Sequence, residues 1–175
     1  EPLASAAGNG LEMRNAVNFL TGRHQDPRLK EVTLSLCAVL AEMTGVAGTV
    51  EAGRLLAEAA LNSGRATERF AVMVHALGGP GDFLDNMDAY LAAAPIIRDV
   101  FAEGDGTITE IDTRGVGMAV VALGGGRIMP TDAIDHRVGF DRLAGLGATI
   151  DAQRPIARLH AADAASADDA ERRIR

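Results

Sequence analysis

The stretch Ala94-Pro95-Ile96-Ile97-Arg98-Asp99-Val100-Phe101 is where the chain changes texture. Before it, apolar residues recur at helical spacing between glycine stops. After it, short segments rich in β-branched residues alternate with Gly and Asp. Working back from Pro95, the spacing predicts four helices. Asn9 followed by Glu12 has capping-box spacing, and the helix it opens ends at Gly22. Asp26-Pro27 opens a second helix, in which the carboxylate caps free N–H groups and proline takes the first turn. Its stripe of Leu29, Val32, Leu36, Val39, Leu40 and Met43 stops at Gly45. Thr49 caps a third helix through Leu61. A fourth carries Ala66, Phe70, Met73, Val74 and Leu77 up to Gly78-Gly79-Pro80-Gly81.

Working forward from Pro95, residues 96–101, 106–111 and 155–160 are the strand candidates. Thr113 to Leu123 suits a buried helix that ends at Gly124-Gly125-Gly126, and the alanine-rich, charged tail from Asp163 to Arg175 an exposed one. The pattern gives an α/β (α+β) class with a boundary near residue 95. The chain opens on Glu1-Pro2-Leu3 without methionine and closes at Arg175 inside a helical pattern, which reads as a fragment of a longer protein.

Composition narrows the function. The chain has 175 residues, 47% apolar and 23% charged, with net charge -7. No basic field exists to hold a nucleic-acid backbone or an anionic membrane. One cysteine, Cys37, rules out an intramolecular disulfide and a Cys-rich zinc site, and fits a reducing, cytoplasmic setting. The least charged stretch, Gly115 to Gly126, is too short and glycine-rich to cross a bilayer, and the N-terminus lacks a signal-peptide layout. Lys30 is the only lysine.

Several residue groups invite a chemical role. Gly124-Gly125-Gly126-Arg127 could cradle phosphate through backbone N–H groups. These glycines follow a helix instead of preceding one, so the dipole has the wrong sign and a helix stop is favoured. Asp132, Asp135 and His136 could bind a metal or move a proton. A cap or turn is favoured, because Asp135 and His136 would face opposite ways on a strand. His24 and His75 have no partner at metal-binding spacing, and His160 ends an apolar strand with no partner that the sequence places. Cys37 reads as a small core residue, and Met13, Met43, Met73 and Met118 as packing.

A family pattern runs through the chain in order. Pro2-Leu3, Gly8-Asn9-Gly10-Leu11-Glu12, Arg14 and Ala16 to Gly22 open it, followed by Asp26-Pro27-Arg28-Leu29. It resumes at Asp112-Thr113-Arg114, Gly117 to Ala122, Gly124 to Arg127, Asp132 to Asp135, Val138-Gly139-Phe140, and Gln153-Arg154-Pro155 to His160-Ala161. Together these segments resemble the thymidine phosphorylase and pyrimidine-nucleoside phosphorylase family.

The resemblance implies reversible phosphorolysis, in which inorganic phosphate attacks C1′ of a pyrimidine nucleoside to give the free base and a pentose 1-phosphate. It implies that residues 1–94 are the helical later part of the large α/β domain and 95–175 a truncated, hammerhead-like C-terminal module. The phosphate loop and the base contacts would lie upstream, leaving no catalytic residue in this chain. The intact enzyme would be a cytoplasmic homodimer. The resemblance also implies a monovalent-cation site built from the carbonyls of Leu3 and Ala6 and the side chain at Asn15, where the family has glutamate. Two other readings stay open: an anthranilate-type phosphoribosyltransferase relative, which shares a Gly-Asn-x-Leu-Glu segment, and a non-catalytic scaffold, because residues 146–160 resemble half of a lipoyl-type barrel.

Overall fold

The computed structural model describes residues 1–175, and the chain divides into two compact units. One comprises Glu1–Asn15 with Leu91–Arg175, and the other Ala16–Tyr90. The first fifteen residues thus group with the C-terminal part, whereas the sequence placed them with the helices up to residue 94. A backbone bridge explains the grouping: Ala7 pairs antiparallel with Phe140, each N–H donating to the other's carbonyl at 2.8 Å.

In the Ala16–Tyr90 unit the helices follow the caps and glycine stops. Helix α1 runs Asn9–Leu20, starting in the other unit, and Gly22 ends it at φ 73. Helices α2 (Pro27–Met43), α3 (Val50–Asn62), α4 (Arg65–Ala76) and the short α5 (Met87–Tyr90) follow. The Thr49 hydroxyl caps α3 by accepting from the Ala52 N–H. The Asp26 carboxylate does not cap α2. It accepts from His24 Nε2 at 3.0 Å instead, although Pro27 does occupy the first turn. Helices α2 and α3 meet closely because Gly53 lacks a Cβ, which would lie 2.5 Å from the Ala38 carbonyl.

The apolar stripe of α2 is half-buried at Leu29 and Val32 and exposed from Leu36 onward. Leu36 is 60% exposed, Leu40 57% and Met43 75%, while Leu34 and Ala38 are buried. Periodicity marks an apolar face, whereas burial depends on what lies opposite that face. Cys37, on the same turn as Leu36, is exposed. Met13, Met73 and Met118 are exposed as well, so these methionines are not core packing within this chain, whereas Met87 is buried.

The other unit is a sheet covered on one face by helices. Strands β1 (Ile96–Val100), β3 (Gly139–Asp141) and β5 (Ala157–Ala161) form an antiparallel sheet in the order β1-β5-β3. Strands β2 (Gly106–Thr107) and β4 (Thr149–Ile150) form a separate two-stranded ribbon. Ile96 stands opposite Ala161, and Val100 opposite Ala157. Alternation puts Ala157, Leu159 and Ala161 on one face, where they join Val100 and Phe140. Against them pack Ala119 and Val120 of α6 (Thr113–Val120), Leu123, and Ala167 and Ala170 of α7 (Ala164–Ile174).

Helix α7 was expected to be solvent-exposed. Its Ala167 and Ala170 are buried, because small side chains let a helix lie close to a sheet, while Ala164 and Ala165 are exposed. The expected strand over residues 106–111 shrinks to Gly106–Thr107, and β3 and β4 were not foreseen. Helix α6, capped by Asp112 accepting from the Gly115 N–H, ends in a π-helical turn over Val121–Gly125, where Gly124 takes φ 88.

Candidate functional site

The residues singled out by sequence converge only in part, and they do so in the segment between α6 and β3. Its start is a helix stop. The carbonyls of Gly124 and Gly125 accept from the Asp135 N–H (2.9 Å) and from Asn9 Nδ2 (2.7 Å). Asn9 therefore ties α1 to this turn and does not cap its own helix. The capping role falls partly to Glu12, whose carboxylate accepts from the Gly8 N–H at 3.0 Å. A helix C-terminus with its carbonyls engaged offers the negative end of the dipole, which suits no phosphate.

The next residues close on themselves. Asp132 Oδ2 accepts from the N–H groups of Ile128 and Met129, and Arg127 Nε donates to the Asp132 carbonyl. Asp135 accepts from the backbone N–H and the guanidinium of Arg137 at 2.7–3.0 Å. The Arg137 side chain, aided by that backbone N–H, holds the Asp135 carboxyl below the usual range. A carboxylate so paired is a poor proton acceptor at neutral pH. The carbonyl of His136 accepts from the Gly10 N–H, which again fastens the start of α1. Asp132, Asp135 and His136 are thus turn and anchor residues, as the capping argument favoured.

Elsewhere, Asp151 accepts from the Arg154 guanidinium and from the Gln153 and Arg154 N–H groups. The Arg154 side chain contributes most and the Gln153 N–H next, and the carboxyl drops to about 2. His75 lies on α4 near Gly81. In the Ala16–Tyr90 unit, a groove lined by Thr21, Gln25, Asn62, Thr67 and Glu68 carries no imidazole or thiol. Its threonine hydroxyls donate to Val17 and Leu20 carbonyls, so they serve the fold. No three His, Cys, Asp or Glu side chains gather as a metal site.

The donors of the implied cation site are uncharged. Leu3, Ala6 and Asn15 all belong to one unit; Leu3 is exposed, Ala6 buried and Asn15 half-buried. Two carbonyls and an amide supply oxygen dipoles and no formal charge, and the nearby Glu12 carboxylate is turned to Gly8. This donor set does not fit a site that relies on a carboxylate to offset the cation's charge.

Sequence reasoning did not find a partner for His160. It is the sole buried polar residue, 7% exposed, and its Nε2 lies 3.2 Å from Asp141 Oδ1 on the neighbouring strand. The pairing of β3 with β5 creates this contact, and no spacing in the sequence signals it.

Geometry thus defines an α+β module with a helix-backed antiparallel sheet, a short β-ribbon and a tightly anchored connecting loop. Residues 107–175 match the family model described as the pyrimidine nucleoside phosphorylase C-terminal domain. That part of the chain is therefore similar to the C-terminal domain of the pyrimidine nucleoside phosphorylases. The matched span covers α6, α7, β3 to β5 and Thr107 of β2, and the structure adds β1 and the Ala7 bridge to the same unit. No helix is long and apolar enough to cross a membrane.

Proposed function

We propose that the chain is the later part of a cytoplasmic pyrimidine-nucleoside phosphorylase that acts on thymidine or a close relative. In this reading a phosphate oxygen attacks C1′ while the glycosidic bond breaks and its electron pair leaves with the base. The products are the free pyrimidine and an inverted pentose 1-phosphate. Phosphate is the nucleophile, so the protein's task is to position two substrates and exclude water. Residues 95–175 form the truncated C-terminal module. Residues 1–94 belong to a larger α/β domain, whose other elements bind phosphate and base and cover the exposed stripe of α2. The intact enzyme is a homodimer that needs no organic cofactor and binds neither nucleic acid nor membrane.

The observation that carries the reading is the family match over residues 107–175, which falls on a well-packed α+β unit. In this reading the elements that bind phosphate and base lie outside this chain, a division of labour that leaves the chain alone inactive. The test is to incubate the chain, and separately the intact enzyme encoded by its gene, with thymidine and phosphate and to assay released thymine. Release by the intact enzyme alone is expected. Turnover by the isolated chain at an intact enzyme's rate would refute the division of labour, and an intact enzyme inert on pyrimidine nucleosides would refute the reading.

A further inference from the structure

His160 sits on the central strand of the three-stranded sheet, on the face opposite the helices. Its cross-strand neighbours there are Ile97 on β1 and Gly139 on β3. Asp141 is the diagonal neighbour on β3. Asp99 and Arg158, the other charged residues on this face of β1 and β5, pair with each other at 3.0 Å. His160 Nε2 and Asp141 Oδ1 are therefore left facing each other at 3.2 Å. Both atoms are shut off from solvent, and neither has a well-aligned hydrogen bond.

Two buried acceptors at that separation repel, and neither has water to turn to. Of the neutral imidazole tautomers, the one with its proton on Nδ1 would put a lone pair on Nε2 against the carboxylate. The tautomer with its proton on Nε2 turns the same contact into an attraction, and a small ring rotation brings it into line.

We propose that Asp141 fixes the proton of His160 on Nε2, and that the resulting pair clamps β3 onto β5. Strand β3 needs such a device. It is only three residues long, begins at Gly139 with φ 143, is followed by Arg142 at φ 52, and carries the Ala7 bridge on its outer edge. Asp141 is thus a positioning residue for the imidazole, and the imidazole a lock on the strand that anchors the N-terminal segment.

The test is nitrogen-15 NMR of the imidazole in the 175-residue chain, together with hydrogen exchange at the Phe140 amide. The wild type should show a proton on Nε2, in the neutral or the cationic ring. Asp141→Asn offers an amide N–H to Nε2 and should raise the share of the Nδ1-protonated tautomer. Asp141→Ala, at a site whose side chain is 30% exposed, should leave the chain folded and speed Phe140 exchange about tenfold. A wild-type ring protonated only on Nδ1 would overturn the proposal. So would Asp141 variants that leave both the imidazole nitrogen shifts and Phe140 exchange unchanged. A merely space-filling contact would not move the tautomer.

Discussion

Gly139→Ala tests how the N-terminal segment is held. Gly139 has φ 143, a conformation that side-chain-bearing residues rarely adopt and that costs about 1–3 kcal/mol when forced. The new Cβ would also overlap the Ala7 carbonyl oxygen, with the Gly8 Cα close behind. That oxygen must move, and the reciprocal Ala7–Phe140 bonds, both 2.8 Å, go with it. At about 1 kcal/mol for each bond, the loss comes to roughly 3–5 kcal/mol. Gly22→Ala serves as the control: φ is 73 and nothing lies within 4 Å, so only conformational strain of about 1 kcal/mol applies. Urea unfolding followed by circular dichroism gives the two losses, and hydrogen exchange at the Phe140 amide localises the first. If Gly139→Ala costs no more than Gly22→Ala and Phe140 exchange does not change, the bridge does not hold the segment and the reasoning fails.

Three further outcomes are expected. Leu40→Glu should change the stability of this chain little, since Leu40 is already exposed. In the intact enzyme it should cut soluble yield and lower Tm by several degrees; an intact enzyme with an unchanged Tm would sink the proposal that a larger domain covers α2. Arg154→Gln should raise the Asp151 carboxyl from about 2 toward its ordinary value of 3.8, seen by carboxyl carbon NMR titration. A depressed folded value stabilises above the unfolded one and is lost as pH falls toward 2, so acid between about pH 4 and 2 should destabilise the variant less than the wild type. Asn15→Glu in the intact enzyme should create or strengthen potassium dependence of activity, because a carboxylate restores several kcal/mol of attraction at contact, an order-of-magnitude figure for an effective dielectric of about 20. Strong potassium-specific stabilisation of the unsubstituted protein, lost in Asn15→Ala, would contradict that.

Helices were legible where a local signal decides them: Pro27 and Thr49 at the starts, Gly22 and Gly45 at the ends. Strand β3 was not, because three residues beside a positive-φ glycine carry no alternation to read. Its existence depends on Ala7 and on β5, both remote in sequence. The stripe of Leu36, Leu40 and Met43 was read as a face, yet burial is a property of whatever lies opposite, which periodicity cannot supply. The turn roles of Asp132 and the glycine run followed from capping and dipole arguments. The exchange of roles between Asn9 and Glu12 did not, because Asn9's partner is Gly125, 116 residues away. The His160–Asp141 contact was hidden for the same reason.

The Ala7 bridge makes one unit discontinuous along the chain, and that orders its assembly. Chain between Ala7 and Phe140 must leave the ribosome before the two can pair, roughly 7–27 s at about 5–20 residues per second. Meanwhile residues 16–90 emerge complete and can fold first, as an inserted body would. The seam where they leave the other unit is narrow: Arg14 donates to the Leu91 carbonyl at 2.9 Å, so the two edges of the insertion lie within one side chain's reach. A few flexible residues could therefore replace everything between Asn15 and Leu91 and still return the first strand to its place. A protein cut at the start of the family match, residue 107, would lose both β1 and the bridge, and would expose β5 along one edge and β3 along the other.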